Sequence, residues 1–144
     1  MVAVNEMNLV QPMVAMMGVT ALVWLFMYVR RLGYMTGHGV DAQSVNTPQK
    51  MAAALPEAVE FPSNNLKNLF ELPVLFYGLC LLLMQQGWVT PLEVQAAWAF
   101  VVLRALHSAI HCTVNIVMWR FAAYAAASGA LWFLLARVAL RAWA

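Results

Sequence analysis

The sequence predicts an all-α integral membrane protein, a four-helix bundle crossing the bilayer up-down-up-down, and three observations predict it. Of its 144 residues, 64% are hydrophobic and only 10% are charged. A water-soluble domain is nearer half apolar and a quarter charged, and a chain this short has no interior large enough to take the excess. The charges are also spaced so that apolar runs of membrane-crossing length lie between them. Connections between the later runs are short, which makes successive helices antiparallel neighbours. One domain, 1–144, is expected.

The first run lies between Glu6 and Arg30, and its expected span is about 10–30. At a rise of about 1.5 Å per residue, roughly 20 residues cross a ~30 Å hydrocarbon core. No Lys or Arg precedes this run, and it is longer than a leader's apolar region, so it reads as a span. No charge falls between Glu71 and Glu93, which places the second span at about 70–88. Between these two lies a polar stretch, 31–67, punctuated by Gly37, Gly39, Pro48, Pro56 and Pro62. It is expected to be a long loop with a helical turn or two near Gln49 to Leu55.

A tight turn at Gly87 to Pro91 leads to the third span, 92–116, which carries Arg104, His107 and His111 inside an apolar run. Another short turn near Asn115 to Trp119 leads to the fourth, 119–141. Arg137 and Arg141 near its end are expected to snorkel to the interface, where Trp143 also fits. Cys80 and Cys112 sit within apolar runs without ligand spacing, so no disulfide framework is indicated. A net charge of +2, with no basic stripe among aromatics, argues against nucleic acid as a partner.

Orientation follows from Lys and Arg near the ends of the spans. Arg30, Arg31, Lys50, Lys67 and Arg120 lie on one side, against Arg137 and Arg141 on the other. The long loop is therefore expected in the cytoplasm and both termini on the opposite side.

An ionisable residue inside a span is costly unless paired or wetted, and so marks a site. On a helix, Arg104, His107, Ser108, His111 and Asn115 fall within roughly 100° of arc, leaving Val101, Val102, Ala105, Ile110 and Cys112 to face lipid. Asn68 and Glu71 start the second span, and Arg120 and Tyr124 start the fourth, at the same depth. Glu71 is the expected counter-ion of Arg104. Arginines and amides converging with one carboxylate suit a small peptide bearing several carboxylates and an ammonium.

The segments NLKNLFELPVLFYGL and RALHSAIHCTVNIVMWRFAAY resemble the MAPEG family, the membrane-associated proteins of eicosanoid and glutathione metabolism. The resemblance covers nearly the whole chain. It implies a homotrimer of four-helix protomers that binds glutathione between neighbours at the cytoplasmic side. By position it implies Arg120 and Tyr124 as catalytic residues, with Arg120 stabilising the glutathione thiolate. It implies Arg30, Asn68, Glu71, Arg104, His107 and His111 as residues that hold the tripeptide. A lipophilic electrophile would enter from the bilayer, in the manner of a glutathione transferase or peroxidase. A bacterial inner membrane is the expected location.

The chain departs from the family pattern in places. His111 stands where prostaglandin-E-synthase-like members have tyrosine, and Phe121 where a small serine can occur. Asn64 stands where an arginine is usual, and Pro73 follows Glu71 by two positions instead of three.

Two other readings compete. One is a non-catalytic structural or accessory subunit of a membrane complex, whose polar stripe, with an Arg104–Glu71 ion pair, only locks helices together. The other is a metal or haem site on His107 and His111, for which no third ligand is evident; no metal is expected.

Overall fold

In the computed structural model, the backbone of residues 2–144 and the side chains from Leu9 onward are described, so the side chain of Glu6 lies outside the described residues. The described residues are helices joined by short turns, without strands. The helices are α1 (Val2–Gly37), α2 (Pro48–Ala54), α3 (Glu57–Leu69), α4 (Leu72–Gln85), α5 (Pro91–Cys112) and α6 (Val117–Ala142), with a 3-10 turn at Ala42–Val45. Three stretches are long and apolar enough to cross a membrane: Leu9–Gly37, Glu57–Gln85 and Val117–Ala142. The third expected span, α5, is not among them; Arg104, His107 and His111 lower its hydropathy.

α5 is instead the most enclosed element. It packs chiefly against α6 and α1, with α3 beside its C-terminal half. Phe76 of α4 and Phe100 of α5 are fully buried and stack at 4.6 Å between ring centroids. Leu83, Leu131 and Leu134 fill the same core. This enclosure corrects one expectation: Val101 and Cys112 are buried, not lipid-facing, because α1 covers that side of α5. Val102 is 60% exposed, as the helical wheel requires.

Residues 31–67 hold more helix than expected: α2 lies where a helical turn or two was expected, and the end of α1 and most of α3 add to it. α1 continues to Gly37, and at about 1.5 Å per residue its 36 residues span roughly 54 Å, well beyond a hydrocarbon core. Its end meets α3, where Arg31 forks onto Glu60 through contacts of 2.8 to 3.1 Å. Met35, Val45, Leu55 and Val59 form a small separate core beneath. Thr47 caps α2 by accepting from the Lys50 amide, and Pro48 occupies the first turn, where its missing N–H costs nothing. Pro56 likewise sits at the N-cap of α3, so both prolines start helices.

The second stretch is broken at Phe70–Glu71. Pro73 lacks an N–H and its ring would clash with the carbonyl four residues back in a continuous helix, so α3 stops at Leu69 and α4 restarts at Leu72, with Pro73 in its first turn. The break leaves backbone carbonyls at the end of α3 in need of donors. At the other end, Thr90 and Glu93 form a capping box with Pro91 in the first turn, which starts α5 sharply after the Gly87 turn.

Candidate functional site

The end of the bundle where α3 stops, α5 stops and α6 starts brings most of the expected polar residues together. α5 ends at Cys112, four residues short of the expected limit, and Asn115 reverses the chain with a left-handed φ of 48°. Asn115 is therefore a turn residue and does not continue the helical stripe. Asparagine tolerates this conformation, and its Oδ1 accepts from Arg120 Nη1 at 2.5 Å. One residue thus makes the turn and holds the guanidinium.

Arg104 is fully buried. Its Nη2 donates to the Asn68 carbonyl at 3.0 Å, one of the carbonyls at the broken end of α3. A cation there also meets the negative end of the α3 dipole. The guanidinium carbon lies 5.2 Å from the Tyr124 ring centroid. No carboxylate forms an ion pair with Arg104 among the described residues; Glu71 is exposed at the helix break, which corrects the expected pairing. The break itself supplies the acceptor that the sequence suggested a carboxylate would provide.

His107 Nδ1 lies 3.0 Å from the Arg120 carbonyl, so Nδ1 carries the proton and donates, and Nε2 is the bare nitrogen of the neutral ring. His111 meets His107 edge to face at 5.5 Å, and Tyr124 lies 5.6 Å from His107. Asn68, His107, His111, Arg120, Phe121 and Tyr124 line a cleft of about 250 Å³. Arg104 lies behind its Tyr124 wall.

Several buried polar atoms here have no hydrogen-bond partner among the described residues: Arg104 Nε and Nη1, His107 Nε2 and His111 Nδ1. Such atoms are costly to leave unmet in a low-dielectric interior. One guanidinium, Arg120, lines the cleft, a second, Arg104, is buried behind Tyr124, and no carboxylate lines it, so the arrangement suits an anion that also brings hydrogen-bonding groups.

The other two expected residues lie elsewhere in this chain. Arg30 is on the α1 side of α5, with its guanidinium 5.5 Å from the Phe26 ring. Glu71 is exposed and does not line the cleft. The described residues hold no group of three or more His, Cys, Asp or Glu side chains placed to bind a metal. Sequence reasoning missed Asn65, which is fully buried beside Cys112 (Nδ2 to Sγ 3.5 Å). Its position on the stripe Val59, Pro62, Asn65, Leu69 was the available signal, hidden by reading 31–67 as loop.

Replacing Asn115 with Gly separates its two roles. Glycine adopts the positive φ freely, so the melting temperature should stay within a few degrees of wild type. Arg120 loses its anchor, and binding of an anionic ligand should weaken by about tenfold, the loss of one charge-assisted hydrogen bond. Calorimetric titration beside a thermal melt reads both effects.

Residues 9–140, nearly the whole chain, match the model of the MAPEG family. No curated protein and no solved structure matches the chain.

Proposed function

Because this chain belongs to the MAPEG family of membrane proteins, we propose that the cleft binds glutathione and that the protein conjugates it to, or reduces with it, a lipophilic electrophile from the bilayer. The observation that carries this reading is the cleft lined by Arg120 and by no carboxylate, with the buried Arg104 behind its Tyr124 wall and the unmet nitrogens of His107 and His111 on its lining residues. Glutathione brings two carboxylates, amides and a thiol that suit such a surface, and its ammonium would take the Glu71 carboxylate of a neighbouring copy.

In this reading Arg120 holds the thiolate. A positive charge beside a thiol lowers its pKa from about 8.5 towards neutrality, and Asn115 fixes the guanidinium that supplies the charge. Tyr124 donates a hydrogen bond near the sulfur. Asn68, Arg104, His107 and His111 orient the tripeptide, and the thiolate held at Arg120 attacks an electrophilic carbon of a substrate that arrives laterally. The C–S bond forms as a leaving group departs with its electron pair or the pair moves onto the adjacent acceptor atom. α5 completes a four-helix membrane bundle as its fourth crossing, shielded by α1 and α6. Three copies assemble, and Arg30 and Glu71, which do not line this cleft, serve the site of a neighbouring copy. The surplus of Lys and Arg around 30–67 and at Arg120 supports a cytoplasmic cleft.

Calorimetry of detergent-purified protein with glutathione tests the proposal. Wild type is expected to bind, with the thiolate's ultraviolet absorbance appearing in the complex. Arg120→Ala should lose that absorbance and lower turnover of a generic aromatic electrophile by at least a hundredfold, the scale of one electrostatic stabiliser. Absence of heat at millimolar glutathione would overturn the reading. Binding without turnover would favour the accessory-subunit alternative.

A further inference from the structure

The opposite end of the bundle holds a second ionic cluster. Glu93 is fully buried in the first turn of α5. Its Oε1 accepts from Arg137 Nε at 2.8 Å and lies 3.2 Å from Arg141 Nη2. Its Oε2 accepts from the Thr90 amide at 3.0 Å and from the Thr90 hydroxyl. Both carboxylate oxygens are therefore used. Arg141 Nη1 donates to the Trp88 carbonyl, which ties the α4–α5 turn to the last turns of α6.

Two guanidiniums against one carboxylate leave a net charge of +1. That charge faces outward: the Arg137 and Arg141 side chains are 33% and 27% exposed, while Glu93 is sealed. Arg137 is gripped at Nε, so its terminal nitrogens are held in a set direction, and they have no acceptor among the described residues. A preorganised guanidinium fork matches a phosphate. The surroundings are apolar and exposed, with Leu92 at 44%, Leu140 at 73% and Trp143 at 87%. Tryptophan at a helix end sits at headgroup level.

We propose that this end of the bundle carries a site for an anionic phospholipid, whose phosphate pairs with Arg137 and Arg141 and whose acyl chains cover Leu92 and Leu140. A free phosphate satisfies only the guanidiniums; a lipid satisfies the charge and the apolar rim together. The site is separate from the cleft and does not depend on what the cleft binds.

Native mass spectrometry of the full chain, released from micelles holding equal mole fractions of phosphatidylglycerol and phosphatidylcholine, reads the preference. Wild type is expected to retain phosphatidylglycerol about fivefold more, the effect of roughly one basic side chain acting at a membrane surface. Arg137→Gln should bring that ratio close to one. Lys50→Gln, which removes an exposed charge at the other end, should leave it unchanged. Phosphatidylglycerol should also raise the melting temperature of wild type, whereas inorganic phosphate at the same concentration should not. Equal retention of both lipids by wild type would overturn the proposal, whether or not Arg137→Gln folds. So would equal ratios in Arg137→Gln and Lys50→Gln, and an equal shift from inorganic phosphate would replace the lipid with a free anion.

Discussion

Replacing Arg104 with Met is expected to raise the melting temperature of the protein and, at the same time, to weaken glutathione binding. The two effects have one cause. Arg104 is fully buried, makes one hydrogen bond to the Asn68 carbonyl, and leaves Nε and Nη1 without partners. Each unmet donor costs about 1–3 kcal/mol, and an ion buried without a counter-ion costs several more after relaxation. The compensations are smaller. Capping the end of α3 is worth about 1 kcal/mol, and the contact with Tyr124 adds roughly 0.5–2 kcal/mol. Methionine fills a similar volume with flexible apolar atoms, so the fold should gain about 1–3 kcal/mol, the range seen when buried charges give way to apolar residues. Its positive charge lies just behind the Tyr124 wall of the cleft, so removing it should weaken binding of an anionic ligand about tenfold, the scale of one charged interaction. Thermal melts in detergent and calorimetric titration measure the pair. A lower melting temperature would mean that capping the α3 carbonyls dominates, and unchanged affinity would remove Arg104 from the site.

This residue also marks how far the sequence could be read. Membrane spans announce themselves by what they lack, and the charge-free runs before Arg30 and between Glu71 and Glu93 needed no structure to find. The buried stripe of Arg104, His107, Ser108 and His111 was legible from helical spacing, because polar groups inside a span must face protein. A helical wheel, however, gives directions on one helix and assumes that the helix continues. It placed Asn115 on the stripe, although α5 had already ended at Cys112. It also offered Arg104 a carboxylate, because nothing local says that the partner helix breaks and turns a carbonyl towards Arg104 at the right depth.

In 31–67 the short helix near Gln49 to Leu55 is legible, but the end of α1 and the start of α3 are not, for a related reason. Proline and glycine are punctuation whose meaning depends on position. Pro48 and Pro56 begin helices here, and the apolar positions Met35, Val45, Leu55 and Val59 are too far apart in sequence to display a period. Arg120, Tyr124, His107 and His111 came together as expected from depth, since a four-residue turn between antiparallel helices leaves little freedom.

Glu93→Ala is the substitution expected to destabilise the fold most among those considered. The sequence offered Glu93 only as the charge that ends an apolar run, yet it lies eleven residues before Arg104, close to three helical turns, and so on the same buried stripe. Removing its side chain abolishes the capping box, worth about 1 kcal/mol, and strips two guanidiniums of their shared acceptor. Breaking a fully buried pair from one side costs about 3–5 kcal/mol. Arg137 and Arg141 are 33% and 27% exposed, so they can turn towards headgroups and water, and the ionic part shrinks to roughly 1–2 kcal/mol. The total expected loss is about 2–3 kcal/mol. Glu93→Gln separates the contributions: glutamine retains the capping geometry and an acceptor oxygen but carries no charge. Melting temperatures should therefore fall in the order wild type, Glu93→Gln, Glu93→Ala. If both variants fall equally, charge pairing with α6 dominates; if Glu93→Gln matches wild type, the cap alone holds the start of α5 and the two arginines are committed to the lipid phosphate.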